Sequence, residues 1–222
     1  SLAVYYATLA WLWGLLPREA RATRRGRTIQ CLAIGSGAYE MTWLVAAAVA
    51  GVPSHFNRSH WVWETAYSLA GLGATLLLVA VLLQGLMIAR DARARLPEPM
   101  RQAIVTGAVM AFATTLVTAF ALASGSGHWV GAAAASDAGG LPMVPLVHQP
   151  MPLFGWSRSS GDLRVAHFFA LHAQQALPLA GAAIVALRLP RPAAVLWLCA
   201  AGYLALIAGT FVQAIMAQPF LG

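Results

Sequence analysis

Six histidines, at positions 55, 60, 128, 148, 167 and 172, all fall at the same end of the apolar segments that divide the chain. Imidazole is the commonest metal ligand, an axial ligand of haem, and the side chain that exchanges protons near neutrality. A one-sided set points to a shared site at that end; the plainer explanation is that imidazole tolerates a polar interface. Three His with an open position make the ligand set of a catalytic zinc, and His with a carboxylate suits copper or non-haem iron. On that basis His55, His128 and His172 are candidate ligands of a transition metal (Zn, Cu or Fe), with His167 or Glu40 handling protons. Such a metal would activate water, or O₂ if redox-active.

Other groups share the segments that carry these imidazoles. His167 and His172 are five residues apart, which rotates them by about 140° on a helix. One is then a ligand and the other a proton-handling neighbour, or the two serve adjacent positions. Gln174, Gln175 and Pro178 follow on the same helix. Pro178 cannot donate to the Gln174 carbonyl, so a kink with a free acceptor is expected, and Gln175 shares a side with His172. Glu40 is the only carboxylate within an apolar segment, where its charged form is costly. It is expected to act as proton carrier, ligand or hydrogen-bond anchor. Asp162 is well placed to cap the helix that follows it, with Arg164 as a clamp on the preceding loop.

These groups are held by apolar helices. Of 222 residues, 59% are hydrophobic and 9% charged, against about a quarter charged in a soluble domain. That excludes a water-soluble enzyme, a disordered tail and a nucleic-acid-binding module. Crossing about 30 Å of hydrocarbon takes roughly 20 apolar residues, and 28–52, 65–89, 102–124, 163–187 and 192–216 qualify. A sixth segment, 2–16, reaches only about 22 Å. It spans with local thinning, lies in the interface, or lacks an N-terminal extension. Its Tyr5, Tyr6, Trp11 and Trp13 suit either interface. Arg follows this segment and no small-residue cleavage site does, which argues against a removed signal peptide.

All 14 basic residues are Arg, and the net charge is +7. Eleven of the 14 lie between segments on one side, the side expected to be cytoplasmic. The expected fold is therefore all-α: an integral membrane helical bundle of about six transmembrane helices in one domain, with both termini outside. It would reside as a multi-pass protein in the inner (plasma) membrane, with the bilayer as its obligatory partner. Residues 125–162 form a long outer loop, rich in Gly and Pro, read as a lid packed on the bundle. Trp61, Trp63, Trp129 and Trp156 read as interfacial anchors. Cys31 and Cys199 sit in no metal-ligand spacing and read as small packing residues.

Ser54-His-Phe-Asn57, Gly127-His128, Gly155-Trp-Ser157 and Gly161-Asp-Leu-Arg-Val-Ala-His-Phe168, continuing through Leu171-His172, Gln175 and Pro178, resemble a group of uncharacterised bacterial multi-spanning membrane proteins. The resemblance supplies no activity. It implies that His55, Asn57, His128, Asp162, Arg164, His167 and His172 be weighed first, and leaves His60 and His148 outside the pattern.

Three function classes follow. The first is a membrane metalloprotein, an oxidoreductase or hydrolase acting on a lipophilic substrate that enters sideways from the bilayer. The second is an electron-transfer protein, with a lipophilic small molecule or quinone as partner and b-type haem between His128 and His172 or His167. The third is a proton- or ion-coupled transporter with Glu40, Gln174 and the Pro178 kink as its pathway. Retinal chemistry is excluded because no Lys can form the Schiff base. Gly125-Ser-Gly127 beside His128 lacks the context of a serine nucleophile.

Overall fold

The computed structural model describes residues 2–55, 57, 60–91, 94, 96–124, 129–130 and 150–221. Their elements are α1 (Leu2–Gly14), α2 (Arg18–Arg21), α3 (Arg24–Ala50), α4 (Trp61–Arg90), α5 (Glu98–Ser124), β1 (Trp129–Val130), β2 (Gly161–Asp162), α6 (Leu163–Ala186) and α7 (Pro192–Ile215). The chain is an all-α bundle with five helices, α3 to α7, long and apolar enough to cross a membrane. It is a membrane protein by that measure. Most helices extend a few residues past their apolar stretches because polar caps carry them into the interface. Thr23 accepts from Gly26 N at 3.0 Å to start α3, and Gly51, at φ 66°, ends it in the left-handed conformation. His60 caps α4 by accepting from Val62 N. It serves as a structural residue.

Without a hydrophobic force between helices in lipid, close backbone approach matters most, and small residues allow it. The tightest pair is α5 with α6. A Cβ on Gly107 of α5 would sit 2.9 Å from the Ala173 carbonyl and 3.1 Å from Pro178 Cδ. Gly107 thus seats α5 against the stretch of α6 where Pro178 withholds its N–H. Near the Arg-rich end, Gly85 of α4 packs onto Ala108 of α5, where an added Cβ would meet the Ala108 methyl at 2.7 Å. Arg101 closes the α4–α5 turn, donating to the carbonyls of Ala89 at 2.8 Å and Ala94 at 3.0 Å. The Ala89 carbonyl is an orphan acceptor that a helix end must otherwise leave to water.

The first segment is packed into the bundle. α1 is 13 residues long, about 20 Å, and is not among the five helices long and apolar enough to cross a membrane. Tyr5, Leu9, Leu12 and Leu16 are buried against α4, α5 and α6. Gln84 Nε2 of α4 donates to the Leu9 carbonyl at 2.9 Å, and Tyr6 Oη donates to Ala33 of α3 at 3.1 Å. Two expectations fail. Cys31 and Cys199 are exposed rather than packed, on faces available to lipid. Trp129 and Trp156 are buried, each 7% exposed, and of the four expected anchors only Trp61, at 70%, is exposed.

Candidate functional site: a cavity at the Arg-poor end of the bundle

At the Arg-poor end the helices separate around a cavity of about 850 Å³. α4 and α5 meet tightly at Gly85 and Ala108, then diverge toward Tyr67 on α4 and Ala123 on α5, both of which line the cavity. Its walls are apolar for most of their length, and Gly71, Thr75, Val117 and Phe120 on the α4 and α5 edges are themselves exposed. The opening therefore faces sideways, between two membrane-spanning helices.

The polar lining comes from five helices: Tyr5 of α1, Glu40 of α3, Tyr67 and Thr75 of α4, Thr115 of α5, and His167 and His172 of α6. Counted down each helix at 1.5 Å per residue, Thr115 and His172 lie about 13 Å and Glu40 about 15 Å below the Arg-poor helix ends. His167 lies about 6 Å below. The two α6 imidazoles thus line one cavity at different depths.

His167 is oriented by α5. Its Nδ1 lies 3.0 Å from Thr118 Oγ1, and that hydroxyl is also 3.0 Å from the Thr114 carbonyl. A hydroxyl has one proton. Spent on the Thr114 carbonyl, it makes Nδ1–H the donor and leaves Nε2 of His167 with a free lone pair, the state required of a general base or a metal ligand. The His172 ring packs against Phe168, centroids 4.3 Å apart, with the Gln175 amide beside it.

Above this level, His55 is exposed. Its Nδ1 is 2.9 Å from Ser54 Oγ, and its ring stands edge-on to Tyr67 at 6.2 Å between centroids. Trp43 Nε1 donates to the Ser54 carbonyl at 3.0 Å and pins this stretch to α3. His55 is close enough to His167 for a charge on one to be felt at the other. On its inner side the ring loses part of its water, which lowers the pKa of His55 and favours its neutral, ligating form. Asn57 beside it is buried.

The head of α6 is fixed by one carboxylate. Asp162 is 2% exposed; it accepts from Ser157 N at 2.9 Å, Arg164 N at 3.0 Å and Arg164 Nε at 2.9 Å. Arg164 Nη2 also donates to the Gly155 carbonyl at 2.7 Å, and the guanidinium stacks over Trp129, 5.6 Å from its centroid. Both residues act as expected, cap and clamp. The unforeseen part is the ribbon: Trp129 pairs with Asp162 and Val130 with Gly161. It joins the segment after α5 to the helix that carries both imidazoles.

His128 and His148 lie outside the described residues, as does most of the expected lid. Among the described residues no group of three or more His, Cys, Asp or Glu is placed to hold a metal ion. Tyr5, Thr115 and Thr118 were not foreseen as site residues. Tyr5 read as interfacial, and a lone Thr in an apolar helix carries no signal of its own. The chain matches no protein-family model, and no curated protein or solved structure resembles it significantly.

Proposed function

We propose that this membrane protein takes a lipophilic molecule sideways from the bilayer and acts on it by acid–base chemistry, as an enzyme of oxidoreductase or hydrolase type. The observation that carries this reading is the lateral cavity itself. It combines an apolar wall continuous with lipid and, deeper in, two imidazoles and a carboxylate. Ionisable groups at such depth are expensive and mark function. His167, with its Nε2 lone pair free, is assigned the role of base, and Glu40 that of proton reservoir on the opposite wall.

A second reading adds a metal held by His55, His128 and His172, or by His167 in place of one of them. It is favoured by the nearness of His55 to His167 and by the anchoring of Trp129, the sequence neighbour of His128, on the head of α6. A b-type haem would use His128 with an α6 imidazole.

Gly71 supplies the test. A Cβ there meets nothing within 4 Å, so the root of a larger side chain is accommodated and Gly71→Phe adds a ring at the cavity mouth. Lipid extracts of detergent-purified protein, analysed by mass spectrometry, should show a retained neutral lipophile that Gly71→Phe loses. Equal lipid content in both refutes lateral binding. Elemental analysis and a visible spectrum of the same preparation separate the readings. A stoichiometric metal without a Soret band selects the metal site, a Soret band the haem, and neither leaves metal-free acid–base chemistry.

A further inference from the structure

At the deep end of the cavity and in the wall of α6 beside it lies more hydrogen-bonding capacity than the protein uses. Among the described residues, the Tyr5 hydroxyl, the Thr115 hydroxyl and both ends of the Gln174 and Gln175 amides are buried with no hydrogen-bond partner. Tyr5 is 6%, Thr115 2% and Gln174 1% exposed. Tyr5 and Thr115 line the cavity, the Gln174 amide lies beside the Tyr5 hydroxyl, and the Gln175 amide beside His172; neither pair attains ordinary hydrogen-bond geometry. Buried polar side chains are as a rule satisfied, and each exception calls for a reason. Glutamines that only join helices would bond across the interface. These do not.

We infer that this cluster is a socket for the head group of the lipophile, and that the head is uncharged and bears carbonyl or hydroxyl oxygens. The inference rests on the proposed lateral binding and specifies its ligand. The socket offers neutral donors and acceptors: hydroxyls that give or take a proton and amides that do both. Among the described residues no Arg lines the cavity, so a phosphate or carboxylate head would lie about 13 Å inside the bundle without a permanent counter-charge, at high desolvation cost. A pure hydrocarbon would leave the polar atoms unmet. A quinone or quinol ring and a long-chain alcohol share the required chemistry.

The test compares three probes carrying one tail length: decylubiquinone, 1-decanol and decane. Binding is measured by equilibrium dialysis to protein in nanodiscs, wild type against Tyr5→Phe/Thr115→Val. Both substitutions remove hydroxyls that make no protein hydrogen bond, so the ligand-free melting temperature should hold or rise. A fall of several degrees would mean the hydroxyls serve the fold, and would overturn the inference. Gln174→Leu provides an independent second variant. The expected result is headed probes binding the wild type at least tenfold more tightly than decane, with that preference lost in the variants. Preference for decylubiquinone over decanol selects the quinone source; equal binding selects a hydroxyl-type head. Headed probes and decane binding alike would overturn the socket while leaving the lateral cavity intact. No probe binding, together with equal lipid content in Gly71→Phe, would remove the underlying reading as well.

Discussion

Asp162→Asn is the sharpest perturbation of the frame that holds the imidazoles. The carboxylate is buried and receives two backbone N–H groups and the Arg164 guanidinium. Asn keeps one acceptor, so it can still take the Arg164 N–H, but its amide presents hydrogens to a donor. Hydrogen bonds to charged groups contribute about 1.5–3 kcal/mol, and breaking a buried pair costs about 3–5 kcal/mol. The Arg164 side chain is 28% exposed and recovers part of its hydration, which places the net loss near the lower limit, about 3 kcal/mol. At about 2–4 °C per kcal/mol for a chain of this size, the apparent melting temperature should fall by about 10 °C. The measurement is intrinsic-fluorescence melting in one detergent at one scan rate, since such unfolding is often irreversible. Arg164→Gln and the double variant complete a cycle. If the pair acts as a unit, the double variant loses clearly less than the sum of the singles. A shift under about 2 °C for Asp162→Asn, or strict additivity, would refute the clamp.

Three further perturbations follow from the same geometry. Gly161→Ala drives a methyl into the Ala214 carbonyl of α7, a backbone atom that cannot rotate away; we expect a loss of about 1–3 kcal/mol, read by the same melts. Thr118→Val removes the hydroxyl facing His167 Nδ1, and ¹⁵N NMR of histidine-labelled protein should show its tautomer shift toward a mixture while the fold is retained. An unchanged ¹⁵N pattern would refute the tautomer assignment. Gln84→Leu with Tyr6→Phe cuts the two side-chain bonds from α1 to α4 and α3, each worth about 1 kcal/mol in a membrane protein. Hydrogen exchange should then rise selectively in α1, and uniform protection would count against its docking role.

The long helices and their membrane character were legible because they depend on local composition. Twenty apolar residues in a row have few places to go but across lipid, whatever their neighbours do. The Asp162 cap was legible for the same reason: it satisfies the first N–H groups of its own helix. Glu40, His167 and His172 stood out because ionisable groups are rare in apolar helices. Tyr5 was misplaced because an aromatic near a helix end reads alike in an interface and in a packed bundle. The fate of α1 is set by α3 and α4, which no local pattern records. Tryptophan burial failed similarly: Trp129 is covered by Arg164 and Trp156 by Phe154 and Phe168.

What the sequence determined by itself is the class of molecule, the spans of its helices and the set of polar groups costly enough to require a reason. Only the tertiary structure decided that α4 and α5 close at Gly85 and part near Gly71, that Tyr5 and Thr115 face one cavity with His172, and that Thr118 meets His167 Nδ1. The physical cause is the range of the forces. Hydropathy and capping act within a few residues, whereas a cavity arises where the packing of several distant helices leaves space between them.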